Sequence, residues 1–109
     1  GYSTLLHGEA VAIGMVQAAD LAARQGRLPW PDAARIRALV AALGLPVAPP
    51  SVDPDAMIAA MSLDKKVQSG RLRLVLADRI GAVSITEDVD PVALRATLTA
   101  GDDLCRTQA

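Results

Sequence analysis

His7 is the only histidine in the chain, and it stands where an apolar helical pattern begins, in Leu5-Leu6-His7-Gly8-Glu9-Ala10-Val11-Ala12-Ile13-Gly14-Met15. Three readings of it are open: a hydrogen-bonded core histidine, a general base, or a metal ligand. Glu9 is poorly placed to assist, because residues two apart point to nearly opposite sides of a helix. The arrangement is not HExxH, in which two histidines four apart share one face. A catalytic zinc site takes three protein ligands, which one histidine and one remote cysteine cannot build. If His7 binds metal, its companions lie outside this chain.

Lys65 and Lys66 are the only lysines among 11 basic residues. As a bland pair they would close a short helix, where cations complement the helix C-terminus. As a functional pair they would form an anion site, since a lysine ammonium is a compact donor to phosphate or carboxylate. Arg71 and Arg73 would add positive field, with Gly70 allowing a sharp reversal between them. Cys105, alone near the C-terminus, reads as a bystander thiol. The pairs Asp53/Asp55 and Asp88/Asp90 read as caps and turns. The sequence has no glycine-rich phosphate loop, Ser-His-Asp set or aromatic stacking platform.

The elements that must position these residues follow from periodicity and stop signals. Leu5 to Gln25 is helical, with Val11, Met15, Ala18, Ala19 and Ala22 at three- and four-residue steps and Gly26 as the stop. Ala10 to Val16 is apolar all round, which predicts burial on every side. Asp32 to Leu43 is a second helix whose apolar stripe is Ile36, Leu39, Val40 and Leu43, with Arg35 and Arg37 facing away, ended by Gly44 and Pro46. Asp53-Pro54 caps a short third helix with Met57, Ile58 and Met61. Arg71 to Ala77 alternates, Leu72, Leu74 and Leu76 on one face, and Ala82 to Thr86 alternates again. A turn through Asp78 and Gly81 makes these a β-hairpin. Asp90-Pro91 starts a last helix that stops at Gly101, and the tail from Asp102 to Ala109 is expected to fray. The predicted class is mainly α with one small β-hairpin, in one domain.

Composition sets the outer limits. The 109 residues are 51% hydrophobic and 2% aromatic, with no Phe, and 11 basic against 12 acidic residues leave a net charge of −1. That balance offers no basic field for nucleic acid and no polybasic membrane patch. No apolar run approaches the roughly 20 residues that span a bilayer. A single cysteine excludes an internal disulfide and suits a reducing, cytoplasmic compartment. High hydrophobicity at this length, with Gly1 rather than Met at the start, leaves two expectations: an alanine-rich bias, or a piece of a larger protein that packs against the remainder.

The run from Leu6 to Met15 resembles the LHGEAVAxGM signature of the 3-dehydroquinate synthases. Gly44-Leu45-Pro46, Asp64-Lys65-Lys66-Val67, Gly70 to Leu76 and Ile80-Gly81 follow in the family's order, so the likeness runs from about Gly1 to Leu98. The resemblance implies the last part of a helical C-terminal domain that follows an NAD-binding domain absent from this chain. It implies a zinc or cobalt ion held by one glutamate and two histidines. His7 matches the second of those histidines; the other ligands would lie upstream of Gly1. It implies a substrate-binding role for Lys65, with Lys66 less defined, and assigns no catalytic residue here. The implied reaction converts 3-deoxy-D-arabino-heptulosonate 7-phosphate to 3-dehydroquinate and phosphate in the shikimate pathway. The isolated chain would be inactive. Its partners would be the missing N-terminal domain and a phosphorylated sugar acid, with room left for a homodimer. Two other readings stand beside this one: a different sugar-phosphate cyclase of the same fold, and a non-catalytic helical interaction module.

Overall fold

A computed structural model describes residues 7–49, 67–68 and 71–106. The chain is mainly helical in these residues, with helices α1 (His7–Arg24), α2 (Trp30–Ala42) and α3 (Pro91–Thr99) and a 3-10 turn at Gly101–Asp103. Strands β3 (Leu74–Arg79) and β4 (Ala82–Thr86) form the expected antiparallel hairpin. A two-residue pairing of β1 (Val67–Gln68) with β2 (Arg71–Leu72) precedes it. The third helix expected after Asp53 lies outside the described residues.

Local chemistry explains where the helices end. Gly26 and Gly44 adopt φ values of 75° and 78°, the left-handed region that costs glycine little. After α1, Gly26 N–H donates to Ala23 O (3.0 Å) and Arg27 N–H to Ala22 O (2.9 Å). After α2, Gly44 N–H donates to Ala41 O (2.9 Å) and Leu45 N–H to Val40 O (3.3 Å). Both are Schellman motifs, which satisfy carbonyls that the helix end leaves unpaired. At the start of α3, Asp90 accepts a 3.1 Å bond from Val92 N–H and Pro91 fills the first position. Helix α2 begins at Trp30, two residues before the expected Asp32. Pro29 caps it in an extended conformation and Pro31 fits its first turn, so the two prolines start the helix.

The long helix α1 is central, packing against α2, α3 and β3. Its second half is enclosed: Ala19, Asp20, Leu21, Ala22 and Ala23 are all buried. Six of the fifteen residues in the main core cluster are alanine, and no Phe is available to it. Small side chains let these elements approach closely, so packing density comes from proximity and not from bulk. The hairpin sends Leu76 into that core and turns Val75 outward, as the alternation predicts, and on β4 it leaves Val83 and Ile85 exposed as well. Its ladder skips Asp78, since Ala77 pairs with Val83 and Arg79 with Ala82; the resulting bulge re-aims the strand at its turn.

Three expectations need correction. The first half of α1 is not buried on every side, because Val11 and Met15 are 48% and 54% exposed. On α2, Leu39 and Leu43 are exposed, so only Val40 and part of Ile36 of the apolar stripe reach the core. The C-terminal stretch does not fray over 102–106: Leu104 and Cys105 are buried, and Arg37 turns toward that stretch, donating to Asp102 O and Leu104 O. The physical reason is that two apolar side chains find space beside α1, and α1 and α2 supply charged partners for the backbone that carries them.

Candidate functional site

His7 is the first residue of α1 and is exposed in this chain. With Gly8, Val11, Gly14 and Met15, all exposed, it forms one stripe along the first turns of the helix, set by steps of three and four residues. A Cβ added at Gly8 or Gly14 would meet nothing within 4 Å, so the glycines leave this stripe open. The helix that presents His7 is thus anchored at its far half and bare along one face of its near half. An apolar stripe beside a metal-competent imidazole is a surface made to be covered.

Among the described residues, no group of three or more His, Cys, Asp or Glu side chains could hold a metal ion. Lys65 and Lys66 lie outside the described residues, so their approach to His7 is not part of this geometry. Arg73, on the connection between β2 and β3, is partly buried.

The opposite end of α1 carries most of the fold's polar chemistry. Asp20 is fully buried (0% exposed). Its Oδ2 accepts from Arg24 Nε (2.6 Å) and from Thr97 Oγ1 (2.6 Å), and its Oδ1 accepts from Cys105 N–H (2.8 Å). A buried carboxylate is costly unless paired in this way. The Arg24 guanidinium also lies 5.9 Å from the Trp30 ring centroid, within cation–π range. Cys105 is buried, and its Sγ donates to Val16 O at 3.3 Å. Burial, with the Asp20 charge adding to it, pushes its thiol pKa up to about 12.

A shallow cleft of about 530 Å³ opens nearby, lined by Arg24, Gln25, Arg27, Asp88 and Asp90. Its polar groups are already engaged in holding the fold. Arg27 Nη1 donates to Asp78 Oδ1 (2.8 Å) and Ser84 Oγ (3.0 Å), tying the α1 exit to the bulged hairpin. Arg27, then Ser84, hold the Asp78 carboxyl below the usual carboxylate value. Gln25 Oε1 accepts from Asp90 N–H (2.7 Å) and Gln25 Nε2 donates to Asp88 O (3.2 Å), fixing the loop before α3. Asp90 caps α3 as the sequence indicates, and Asp88 N–H is held by Thr86 Oγ1.

Comparison with known proteins connects this geometry to chemistry. A family model described as 3-dehydroquinate synthase C-terminal matches residues 1–67, a span that includes both His7 and Lys65. The chain is 48% identical, over 90% of its length, to a 3-dehydroquinate synthase of Saccharophagus degradans, of which it covers 27%. It is 49% identical over 82% of its length to one from Synechococcus sp. (strain CC9605), covering 24% of that protein. To one from Acinetobacter baumannii it is 43% identical over 92% of its length, covering 28%. The chain therefore spans about a quarter of the length of the curated relatives it matches.

Proposed function

Because the chain belongs to the 3-dehydroquinate synthase family, matching its C-terminal domain, we propose that the full-length protein converts 3-deoxy-D-arabino-heptulosonate 7-phosphate to 3-dehydroquinate and phosphate. The reading places the enzyme in the cytoplasm and in aromatic amino-acid biosynthesis. The observation that carries it is the match over residues 1–67, which takes in the His7 motif and Asp64-Lys65-Lys66 together. In this reading an NAD-binding domain precedes the chain, and this part supplies one metal donor and one substrate donor.

Zinc or cobalt, with NAD, would supply Lewis-acid polarisation and reversible oxidation of a substrate hydroxyl. His7 provides an imidazole nitrogen from the first turn of α1, and the buried second half of that helix fixes where the imidazole stands. The bare stripe through Val11 and Met15 is the surface on which the remaining ligands' elements would pack, excluding water from the site. Lys65 holds an anionic group of the substrate, its phosphate by charge and size, and so orients the sugar acid. Its ammonium acts by position and field and takes no proton from the substrate.

The test is metal content and phosphate release in the full-length protein. His7→Ala should lower bound zinc or cobalt at least tenfold, measured by elemental mass spectrometry, and abolish phosphate release. Full metal content with full turnover would overturn the assignment. The 109-residue chain alone should release no phosphate from the sugar acid when zinc and NAD are added.

A further inference from the structure

Residues 101–106 close against α1 and α2 without joining any ladder, and their ties come from charged side chains elsewhere in the fold. Asp20 Oδ1 accepts the Cys105 N–H (2.8 Å), while Arg37 Nη1 donates to Asp102 O (2.7 Å) and Leu104 O (2.6 Å). Bonds of this kind, with one partner charged, are about twice as strong as neutral ones. They grip backbone atoms, so they hold the segment's path and not its side-chain identity.

The same segment is strained. Cys105 has φ of 63°, the only non-glycine residue at positive φ among those described. That conformation crowds a Cβ against the carbonyl and persists only where neighbours over-determine it. Here the neighbours are the Asp20 carboxylate on the amide and the Val16 carbonyl on the thiol. At the other end Gly101, at φ 58°, gives the chain a pivot where it leaves α3. Between pivot and strained residue only Leu104 and Cys105 bury their side chains, at 0% and 1% exposure.

We propose that residues 101–106 are a strained latch, pivoting at Gly101 and closed by Asp20 and Arg37, which opens as a unit while the helices stay folded. Two buried side chains and three charged hydrogen bonds are a small fraction of what holds the core, so this opening is local and precedes global unfolding. Opening bares the Asp20 carboxylate to water and frees the Cys105 thiol. The closed latch keeps that thiol inert, because burial holds it protonated. Thiol reactivity at Cys105 thus reports latch opening.

Iodoacetamide on the full-length protein is the probe. The Cys105 sulfur attacks the reagent's methylene carbon, a C–S bond forms, iodide leaves and the thiol proton passes to buffer. Labelling of the Cys105 peptide is followed by mass spectrometry across urea concentrations below the unfolding transition. The latch requires labelling at least a hundredfold slower than in the unfolded chain and nearly independent of urea, since local opening exposes little surface. Arg37→Ala should raise the rate at least tenfold with the urea slope unchanged, because both of its bonds to the segment's carbonyls are lost. A rate that climbs with urea as steeply as global unfolding would overturn the proposal, as would labelling without urea at the unfolded-chain rate. So would an Arg37→Ala variant that labels no faster than the parent. The urea dependence of the unmodified protein decides the question even if that variant fails to fold.

Discussion

Asp20 and Thr97 lie 77 residues apart in sequence, yet Thr97 Oγ1 donates a 2.6 Å hydrogen bond to Asp20 Oδ2 inside the core. The bond locks the second half of α1 to α3. Arg24 and the Cys105 amide share the same carboxylate, so one side chain joins two helices and the C-terminal segment. With all its partners in place the carboxylate is satisfied; with one removed, a buried acceptor is left short of a hydrogen bond. The junction adds a polar tie to the apolar packing that already places the second half of α1.

Asp20→Ala should therefore destabilise the fold by about 3 kcal/mol, because it strands the Thr97 hydroxyl and the Cys105 amide together. Thr97→Val, close in shape, should cost about 1–2 kcal/mol. The double variant should cost less than the sum, since both remove the same bond. Urea unfolding followed by circular dichroism measures all three, and strict additivity would show that the two residues do not act as a pair.

Asp78 offers a surface counterpart. Arg27 and Ser84 hold its carboxyl below the ordinary value of 3.8. A depressed folded-state pKa contributes stability above the unfolded value and loses it as pH falls through the folded value. The Arg27–Asp78 contribution should thus be intact at neutral pH and vanish only below about 3.8. In Arg27→Gln the Asp78 carboxyl should titrate closer to 3.8, as read by carboxyl NMR. The change in stability at pH 7 should be small, because the pair is partly solvated. An unmoved titration would mean that the 2.8 Å contact is not formed in solution.

Cys105 carries the opposite sign. Its thiol pKa rises from 9.0 to about 12 on folding, so the unfolded chain gives up its proton first as the solution turns alkaline. Stability tied to this group is fully present below pH 9 and is lost as pH climbs toward 12. Urea midpoints of the parent should fall more steeply between about pH 9 and 11 than those of Cys105→Ala, which has no thiol to titrate. Parallel slopes for the two proteins would show the thiol to be solvated in the folded state.

Much of the fold could be read locally, and the reasons are physical. Gly26 and Gly44 stop helices because a left-handed residue is needed to close each Schellman motif, and Asp90-Pro91 starts α3 because an oxygen acceptor followed by a residue without N–H suits a helix entry. Asp20 was not legible, since a polar residue in the second half of an amphipathic helix looks solvated until its partners arrive from 77 and 85 positions away. Arg37 and the stretch after Gly101 escaped for the same reason: Asp102 and Asp103 resemble a solvated end, and only tertiary packing brings Arg37 to the carbonyls of Asp102 and Leu104. On the functional side, His7 and Lys65 carry a family signature in their neighbours, and among the described residues no group of three or more potential metal-binding side chains gathers.

Lys65 is the sharpest test of the substrate side. Lysine placed against a phosphate acts through charge at short range, and removing one such donor from a water-excluded site costs about 2–4 kcal/mol of transition-state stabilisation. Lys65→Ala in the full-length protein should lower kcat/KM by roughly 30- to 1,000-fold, with bound zinc unchanged because the side chain is no metal ligand. Lys65→Arg should recover only part of the loss, since the planar guanidinium matches the charge but not the compact shape. Steady-state phosphate release together with metal analysis separates these outcomes. An unchanged kcat/KM in Lys65→Ala would return Lys65 to the solvated pair that its neighbour Lys66 also suggests, and would move the anion site to another residue of the enzyme.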